Sequence, residues 1–430
     1  MKYIPASNSL FIENRQRFIS KMKPNSMAIF HSNDQMPRSG DQTFYFRQNA
    51  DLYWLTGIDQ EDTMLILYPD SPRPEYREVL LLRKTNEVIA VWEGHKYTIE
   101  EAKKASGVKN IIWNEEFDTI VNVLMVYGEN VYLNLNENDR AVIKVPYRDL
   151  RFANELQSRY PLHNYERGGR LMNELRSIKS EGEIKLIREA CSITEKAFRR
   201  VMKVMKPGVM EYEIEAEIIS EFVRNRATDH AYYPIIASGA SACVLHYVEN
   251  NKECKDGDMI LMDFGCEYAN YASDLTRTIP VNGKFTPRQK EIYNAVLRVM
   301  KQAKQMLRPG KILNDLNNEV GKIMEGELIK LGLLNANEVK KQNPDAPLYK
   351  KYFMHGTSHF MGLDVHDIGN RYGQMKAGMV FTCEPGIYVP EENIGIRIEN
   401  DILITDTDQI DLMSTIPIEV EEIEQLMQSK

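Results

Sequence analysis

The chain contains little cysteine. Five of its 430 residues are cysteines, and no two of them form a CxxC pair. An odd, widely spaced set argues against a disulfide framework or a structural zinc site and favours a reducing cytoplasm. The sequence also lacks an apolar run of the roughly 18 residues that would indicate a membrane span, and its first residues turn polar too early to form a signal-peptide core. We therefore expect a cytoplasmic protein that is not inserted in a membrane.

Positive charge is not in excess either. The chain has 54 Lys and Arg against 62 Asp and Glu, which gives a formal net charge of −8. An acidic chain is poorly matched to a polyanion, so we expect no nucleic-acid binding. The GxSxG turn of serine hydrolases, the P-loop and the GxGxxG motif are missing as well. A hydrophobic content of 43% and a charged content of 27% are typical of a globular enzyme.

The length of the chain predicts two or three domains. The polar segment Asn164–Arg170 contains two adjacent glycines and is typical of a linker, so we place one domain at 1–172 and a second at 173–430. Short apolar, strand-like runs separated by prolines and charged residues occur in the first part, and they are Met64–Tyr68, Val79–Leu82 and Val88–Trp92.

Acidic residues recur on two predicted hairpins. Residues 259–266 and 271–281 have the pattern of two strands, and a turn centred between residues 268 and 269 would place Asp263 directly opposite Asp274. Side chains paired in this way have Cβ atoms about 5 Å apart, and like charges there are destabilising. Either one aspartate is solvated, or the register is different, or a cation lies between the two carboxylates.

The second hairpin repeats the arrangement. Residues 381–389 and 394–404 are strand-like and flank a turn around Glu391 and Glu392. This register places Glu384 directly opposite Glu399. Acidic pairs on two separate hairpins favour a shared cation site over coincidence.

Three of the eight histidines, His355, His359 and His366, fall within twelve residues. The HxxxH spacing of the first two does not indicate a zinc protease, because Gly356 stands where that motif has Glu. Four carboxylates and a neutral imidazole form a hard ligand set that suits Mn²⁺, Co²⁺ or Mg²⁺. Two divalent ions would neutralise four carboxylates, whereas one would leave two buried negative charges. Two ions bridged by a hydroxide form a hydrolytic site.

The chain resembles the pita-bread metallopeptidases, and most closely the aminopeptidase P (Xaa-Pro aminopeptidase) family. The N-terminal stretch YFRQNADLYWLTG resembles the N-terminal domain of that family and of prolidase. The likeness extends over nearly the whole chain, and its C-terminal motifs are ASGASACVLHY, MDFGCEYANYASDLTRTIPVNGKFT, HGTSHFMGLDVHD, TCEPGIYVP and GIRIENDILIT. The resemblance implies an N-terminal mixed-sheet α/β domain and a C-terminal pita-bread domain of curved antiparallel sheet with flanking helices.

The resemblance also implies roles for individual residues. Asp274 and Glu399 would bridge the two ions, and Glu384 would also be general base and proton shuttle. The implied metals are two divalent ions per chain, manganese before cobalt or zinc. The five positions that match the family's metal ligands are Asp263, Asp274, His359, Glu384 and Glu399.

Five further residues match positions around the substrate. His246 and His366 match residues that hold the scissile carbonyl and its tetrahedral intermediate. His355, Tyr388 and Arg397 match residues that shape the pocket for proline and the residue after it. Tyr388 could instead be ordinary strand packing, and Arg397 could only neutralise nearby carboxylates.

The implied reaction releases the first residue from peptides whose second residue is proline, and the family commonly forms dimers or tetramers. Prolidase, which cleaves only Xaa-Pro dipeptides, shares the ligands and is the main alternative. A non-catalytic pita-bread binding module or a metal-free, creatinase-like enzyme would lack metal ligands, whereas all five matching residues are present here.

Overall fold

A computed structural model describes residues 2–138, 140 and 143–429. The chain divides into two compact units. One unit spans Pro5–Arg176, and the other combines Ser177–Lys430 with the first four residues. None of the helices in the described ranges has the length and the apolar character needed to cross a bilayer.

The Pro5–Arg176 unit is built on a six-stranded mixed sheet. The strand order is β6-β5-β4-β1-β7-β8; β1–β4 and β4–β5 are antiparallel, and the other three pairs are parallel. The elements are α1 Asn8–Ile19, β1 Ser26–His31, β2 Pro37–Ser39, β3 Gln42–Thr43, α2 Ala50–Thr56, β4 Met64–Leu67, β5 Glu78–Leu82, α3 Glu87–Glu93, α4 Ile99–Ser106, β6 Asn110–Trp113, α5 Phe117–Met125, β7 Asn130–Leu133, α6 Arg148–Arg159, β8 Asn164–Arg167 and α7 Gly168–Arg176.

Two sequence expectations for this unit are wrong. The apolar run Val88–Trp92 forms helix α3 instead of a strand. The segment expected to be a linker forms strand β8 and the first turns of α7. Its two glycines serve close packing, because a Cβ on Gly168 or Gly169 would lie 2.9 Å from a backbone carbonyl oxygen of the chain near β7.

The Ser177–Lys430 unit combines antiparallel strands with helices. Its strands form the sheets β10-β11-β14, β13-β12-β9 and β15-β18-β19 and the hairpin β16-β17. The elements are α8 Glu181–Val204, α9 Glu211–Arg224, β9 Asp229–His230, β10 Ile235–Ser238, β11 Met259–Phe264, β12 Cys266–Tyr268, β13 Tyr271–Ala272, β14 Leu275–Pro280, α10 Pro287–Met306, α11 Leu313–Lys330, α12 Ala336–Val339, β15 Val380–Cys383, β16 Gly386–Val389, β17 Ile394–Arg397, β18 Asn400–Ile404, β19 Gln409–Asp411 and α13 Val420–Gln428.

The predicted register of the first hairpin is wrong by two residues. Tyr268 pairs with Tyr271, and Asp263 pairs with Thr276 instead of Asp274. The turn is centred one residue later than expected, because Ala269 and the following Asn both adopt positive φ, 51° and 64°, as a two-residue hairpin turn requires. A shift of two residues keeps Asp263 and Asp274 on one face, in diagonal positions.

The predicted register of the second hairpin is confirmed. Gly386 pairs with Arg397 and Cys383 pairs with Asn400, so Glu384 and Glu399 occupy facing positions between these pairs. The chain reverses through the short helical turn Pro390–Glu392. The two hairpins join where the backbone N–H of Glu399 donates to the carbonyl of Thr276, 3.1 Å away. All four acidic residues therefore lie where the two hairpins meet.

Candidate metal centre

The carboxylates lie where regular strand pairing is interrupted. Asp274 stands between β13 and β14, Glu384 between β15 and β16, and Glu399 between β17 and β18. Beside Asp274 the backbone is so close that a Cβ on Gly265 would lie 1.7 Å from the carbonyl oxygen of Ser273. These breaks turn carboxylates into the interior, and Asp274 and Glu399 are only 5% and 2% exposed.

His359 faces this group from a neighbouring loop. Its backbone is held on β15, since its N–H and C=O bond to the hydroxyl and the N–H of Thr382. Ligand atoms of Asp274, His359 and Glu399 lie within 4.8 Å of one another. The Nε2 atom of His359 is 3.4 Å from Asp274 Oδ2 and 3.6 Å from Glu384 Oε1.

The tautomer of His359 follows from its other nitrogen. Nδ1 lies 2.9 Å from the carbonyl oxygen of Phe360, so Nδ1 carries the proton and donates it. In the neutral ring, Nε2 is then the nitrogen that can bind a metal ion. A divalent cation between Nε2 and the carboxylates suits this arrangement, and the donor set fits a hard ion.

The acidity of the carboxyl groups supports the same interpretation. Burial raises the pKa values of Asp274 and Glu399 well above their usual range, and the neighbouring carboxylates raise them further. Burial raises the pKa of Glu384 to about 7. Without cations the group would therefore retain protons near neutral pH. Cations that bind the four groups as carboxylates would displace these protons.

Asp263 and its acidic neighbours accept hydrogen bonds from residues of three different segments. Its Oδ2 accepts from Arg397 Nη2 at 2.5 Å. The hydroxyl of Tyr232 lies 2.6 Å from Oδ1 of both Asp263 and Asp274. The hydroxyl of Thr276 donates to Glu399 Oε2 at 2.6 Å. Sequence reasoning did not identify Tyr232 or Thr276 as site residues. Thr276 follows Asp274 by two residues, the spacing of one strand face, whereas Tyr232 stands in no pattern that would have singled it out.

The residues expected around the proline pocket form a connected chain. Nη1 of Arg397 donates to the hydroxyl oxygen of Tyr388, and this hydroxyl lies 2.8 Å from Nε2 of His355. Burial lowers the pKa of His355 to about 3, so the ring is neutral, and its Nδ1 is 2.7 Å from the carbonyl of Gly356. Tyr388 thus does more than pack, and Arg397 does more than neutralise Asp263.

The two remaining predicted residues are exposed. The ring of His366 lies 4.2 Å from that of His359, measured between centroids. His246 is on a loop after β10, close enough to His355 that a positive charge on it would lower the pKa of His355. The structure therefore brings the histidine motif, both hairpins and the His246 loop to one site.

Comparisons with known proteins match both units. Residues 185–406 match the model of metallopeptidase family M24, and residues 11–132 match that of the aminopeptidase P N-terminal domain. The Xaa-Pro aminopeptidases of Haemophilus influenzae and Escherichia coli are 35% and 36% identical to this chain, over 97% and 98% of its length and 96% and 98% of theirs.

Solved structures agree with this result. Zinc-substituted E. coli aminopeptidase P in complex with product has a TM-score of 0.88 and 35% identity, and the match covers 99% of both chains. The same enzyme with the inhibitor Pro-Leu has a TM-score of 0.87 and 34% identity, again over 99% of both chains. The expected fold, a mixed-sheet α/β domain followed by a pita-bread domain, is confirmed. The chain belongs to metallopeptidase family M24, in its aminopeptidase P group.

Proposed function

We propose that this metallopeptidase releases the N-terminal residue from peptides that have proline at the second position, with two divalent ions bound. The observation that carries the proposal is the group of ligand atoms from Asp274, His359 and Glu399, which lie within 4.8 Å of one another. The Nε2 atom of His359 also lies 3.4 Å from Asp274 and 3.6 Å from Glu384, an arrangement that a cation stabilises. Relatives named Xaa-Pro aminopeptidase that align over nearly the full chain support the substrate class.

The proposed ligands divide by position. Asp274 and Glu399 would bridge the two ions, Asp263 would bind one ion, and His359 and Glu384 would bind the other. Bound divalent ions supply two things here, polarisation of the substrate carbonyl and a lower pKa for water. The protein holds its ligands in orientation through the Tyr232 hydroxyl and the Thr276 and Arg397 donors described above.

Proton transfer is assigned to Glu384. Its side chain is 20% exposed, more than that of the other buried carboxylates, so it can reach both the ligand group and the substrate. We propose that it takes the proton of the attacking water and passes it to the leaving nitrogen of proline. We assign to the two exposed histidines, His246 and His366, the donation of hydrogen bonds to the scissile carbonyl as negative charge develops on it.

Proline recognition is assigned to the chain His355–Tyr388–Arg397. An Xaa-Pro bond is a tertiary amide without N–H, so a site cannot hold it through that donor. Recognition must instead come from the shape of the pocket wall and from groups that bind the following residue. Three side chains fixed to one another and to Asp263 would give a wall of this kind its rigidity.

Manganese, self-association and a cytoplasmic location are further parts of this proposal. The hard donor set favours manganese over a thiolate-type zinc site. Helix α3 carries Val88, Val91 and Trp92, which are 68%, 82% and 84% exposed. Three apolar side chains on one short helix are suited to burial against a second copy in a dimer or tetramer. Five free cysteines accord with a reducing compartment.

The decisive experiment compares three peptides. Protein reconstituted separately with Mn²⁺, Co²⁺ and Zn²⁺ is given an Xaa-Pro-Xaa tripeptide, the Xaa-Pro dipeptide and an Xaa-Ala-Xaa tripeptide, and free amino acids are quantified. We expect release of the first residue from the proline tripeptide, fastest with Mn²⁺, and little from the alanine peptide. Glu384→Gln serves as the slow control on the same scaffold.

The same assay separates the alternative. Hydrolysis of the dipeptide with none of the tripeptide would identify a prolidase. Failure of every metal-loaded form to cleave any proline peptide would refute the proposed function. Light scattering coupled to size exclusion tests self-association, and Trp92→Glu should weaken it if helix α3 lies in the interface.

A further inference from the structure

The loop that carries His246 is fastened at both ends by one buried carboxylate. Glu211, at the start of α9, is fully buried. Its Oε1 accepts from the backbone N–H and the hydroxyl of Ser238, at 2.7 and 2.6 Å. Its Oε2 accepts from the hydroxyl of Tyr247 and the backbone N–H of Lys252, at 2.8 and 2.9 Å.

These partners stand at both ends of the loop and beside the histidine. Ser238 is the last residue of β10, Lys252 is where the loop returns to α9, and Tyr247 follows His246 directly. The backbone N–H of Glu211 also donates to the carbonyl of Lys252 at 2.9 Å. His246 itself is exposed, so the contacts to Tyr247 and to the loop ends limit where its ring can lie.

A second acid on the same helix makes a simpler contact. One turn after Glu211, Glu215 accepts from Asn250 Nδ2 at 2.8 Å. Asn250 also donates to the carbonyl of Pro234 and accepts from the N–H of Ile236. On this loop Glu215 accepts from Asn250, whereas Glu211 accepts from three residues, Ser238, Tyr247 and Lys252.

We propose that Glu211 is a positioning residue for His246, acting through Tyr247 and the loop ends; this rests on the function proposed above. Glu211 does not touch the substrate. It fixes the backbone on both sides of a histidine that would otherwise depend on an exposed loop. Misplacement of such a group by about 1 Å can cost a large factor in rate.

The donors of these four hydrogen bonds identify a substitution that tests the contacts of Glu211 directly. Two of the donors, the N–H groups of Ser238 and Lys252, cannot act as acceptors, and they bind different oxygens of Glu211. A glutamine has one accepting oxygen and one donating NH₂. In either orientation, Glu211→Gln therefore sets an NH₂ against a backbone N–H, that of Ser238 or that of Lys252. Glu215→Gln is the matched control, because its amide oxygen can still accept from Asn250.

The experiment uses the metal-loaded full chain. Glu211→Gln, Tyr247→Phe and Glu215→Gln are made alone and combined with His246→Ala. The measurements are kcat and KM on the Xaa-Pro-Xaa peptide, bound metal, and hydrogen–deuterium exchange over residues 238–252. We expect Glu211→Gln to lower kcat by about tenfold or more, Tyr247→Phe by about threefold, and Glu215→Gln by less than about twofold. KM and metal content should be nearly unchanged in all three variants. Hydrogen–deuterium exchange of the loop should be faster in Glu211→Gln.

The double variants test whether the effect passes through His246. In the His246→Ala background, Glu211→Gln and Tyr247→Phe should each change kcat by less than about twofold, because the group they position is gone. An equal loss of kcat in both backgrounds would overturn the proposal, as would unchanged loop exchange in Glu211→Gln. If Glu211→Gln does not fold, the Tyr247→Phe pair decides by the same comparison.

Failure of the proposed function would look different. If the wild type cleaves no proline peptide, the exchange measurement still decides whether Glu211 fastens the loop. Faster exchange in Glu211→Gln, with none in Glu215→Gln, would support the fastening, and unchanged exchange in both would overturn it.

Discussion

Removal of divalent ions should destabilise the Ser177–Lys430 unit selectively. Chelation would leave the carboxyl groups of Asp274 and Glu399, which are 5% and 2% exposed, close together with no cation present. Arg397 and the hydroxyls of Tyr232 and Thr276 compensate only part of four negative charges. The group must then take up protons or bear repulsion, and both outcomes disfavour the folded unit relative to its metal-bound form.

The size of the effect follows from mass action. An ion that binds only the folded state stabilises it by about 2.7 kcal/mol when its free concentration is 100 times its Kd. Two ions therefore contribute about 5.4 kcal/mol. Since 1 kcal/mol shifts the Tm of a domain of this size by roughly 2–4 °C, chelation should lower the transition by about 10–20 °C.

The positions of the tryptophans give a selective assay. All three, Trp54, Trp92 and Trp113, lie in the Pro5–Arg176 unit, which contains none of the proposed ligands. Fluorescence excited at 295 nm therefore follows that unit, while far-UV circular dichroism follows both. We expect chelator to lower the dichroism transition and to move the tryptophan transition less, and we expect Mn²⁺ to restore the original curve.

A charge-deficient variant sharpens the test. Asp263→Asn should bind metal more weakly, yet chelator should lower its Tm by less than that of the wild type, because the emptied group carries one negative charge fewer. Elemental analysis must accompany each melting curve and should find two divalent ions per wild-type chain before chelation. If chelator strips both ions and the dichroism curve does not move, the inference of mutually repelling buried carboxylates is wrong.

Three further outcomes are expected. Glu384→Gln should lower kcat by about 10²-fold or more as measured in single-turnover assays, and near-normal turnover in a metal-replete sample would remove its proton-transfer role. His366→Ala should slow the reaction with both ions retained, so metal loss on elemental analysis would make His366 a ligand. In the Pro5–Arg176 unit, burial raises the pKa of Glu61, but the contacts with Lys96 and Arg83 outweigh burial, so the pKa is lowered. The stability that this contributes above the unfolded pKa should be lost as the pH falls through the folded pKa. Glu61→Gln should reduce this loss of stability at acid pH in denaturant titrations, and an unchanged loss would contradict the assignment.

The two hairpins show which parts of the fold can be predicted from sequence. The register of the second hairpin was predicted correctly because its turn lies at a polar break between strands in which apolar and polar residues alternate. The turn contains Pro390 and is followed by an Asn at φ 55°. The first failed because its turn uses Ala269 at φ 51°, a conformation that alanine rarely adopts.

Glycine misled the linker prediction for a related reason. Gly168 and Gly169 were interpreted as a flexible linker, but they permit close packing of α7 on the chain near β7. A pair of glycines has the same appearance in sequence whether its role is flexibility or close approach. The partner backbone that distinguishes these roles is about 35 residues away and is brought there by the sheet.

The prediction that Asp263 and Asp274 share one site did not require the exact register of the hairpin. An error of one residue would have put Asp263 and Asp274 on opposite faces, whereas the actual error of two kept them together. Because they are diagonal and not directly opposed, there is room between them for the hydroxyl of Tyr232, 2.6 Å from each. Periodicity can predict that carboxylates share a face, but the donor between them comes from a separate segment, so only the folded chain could identify it.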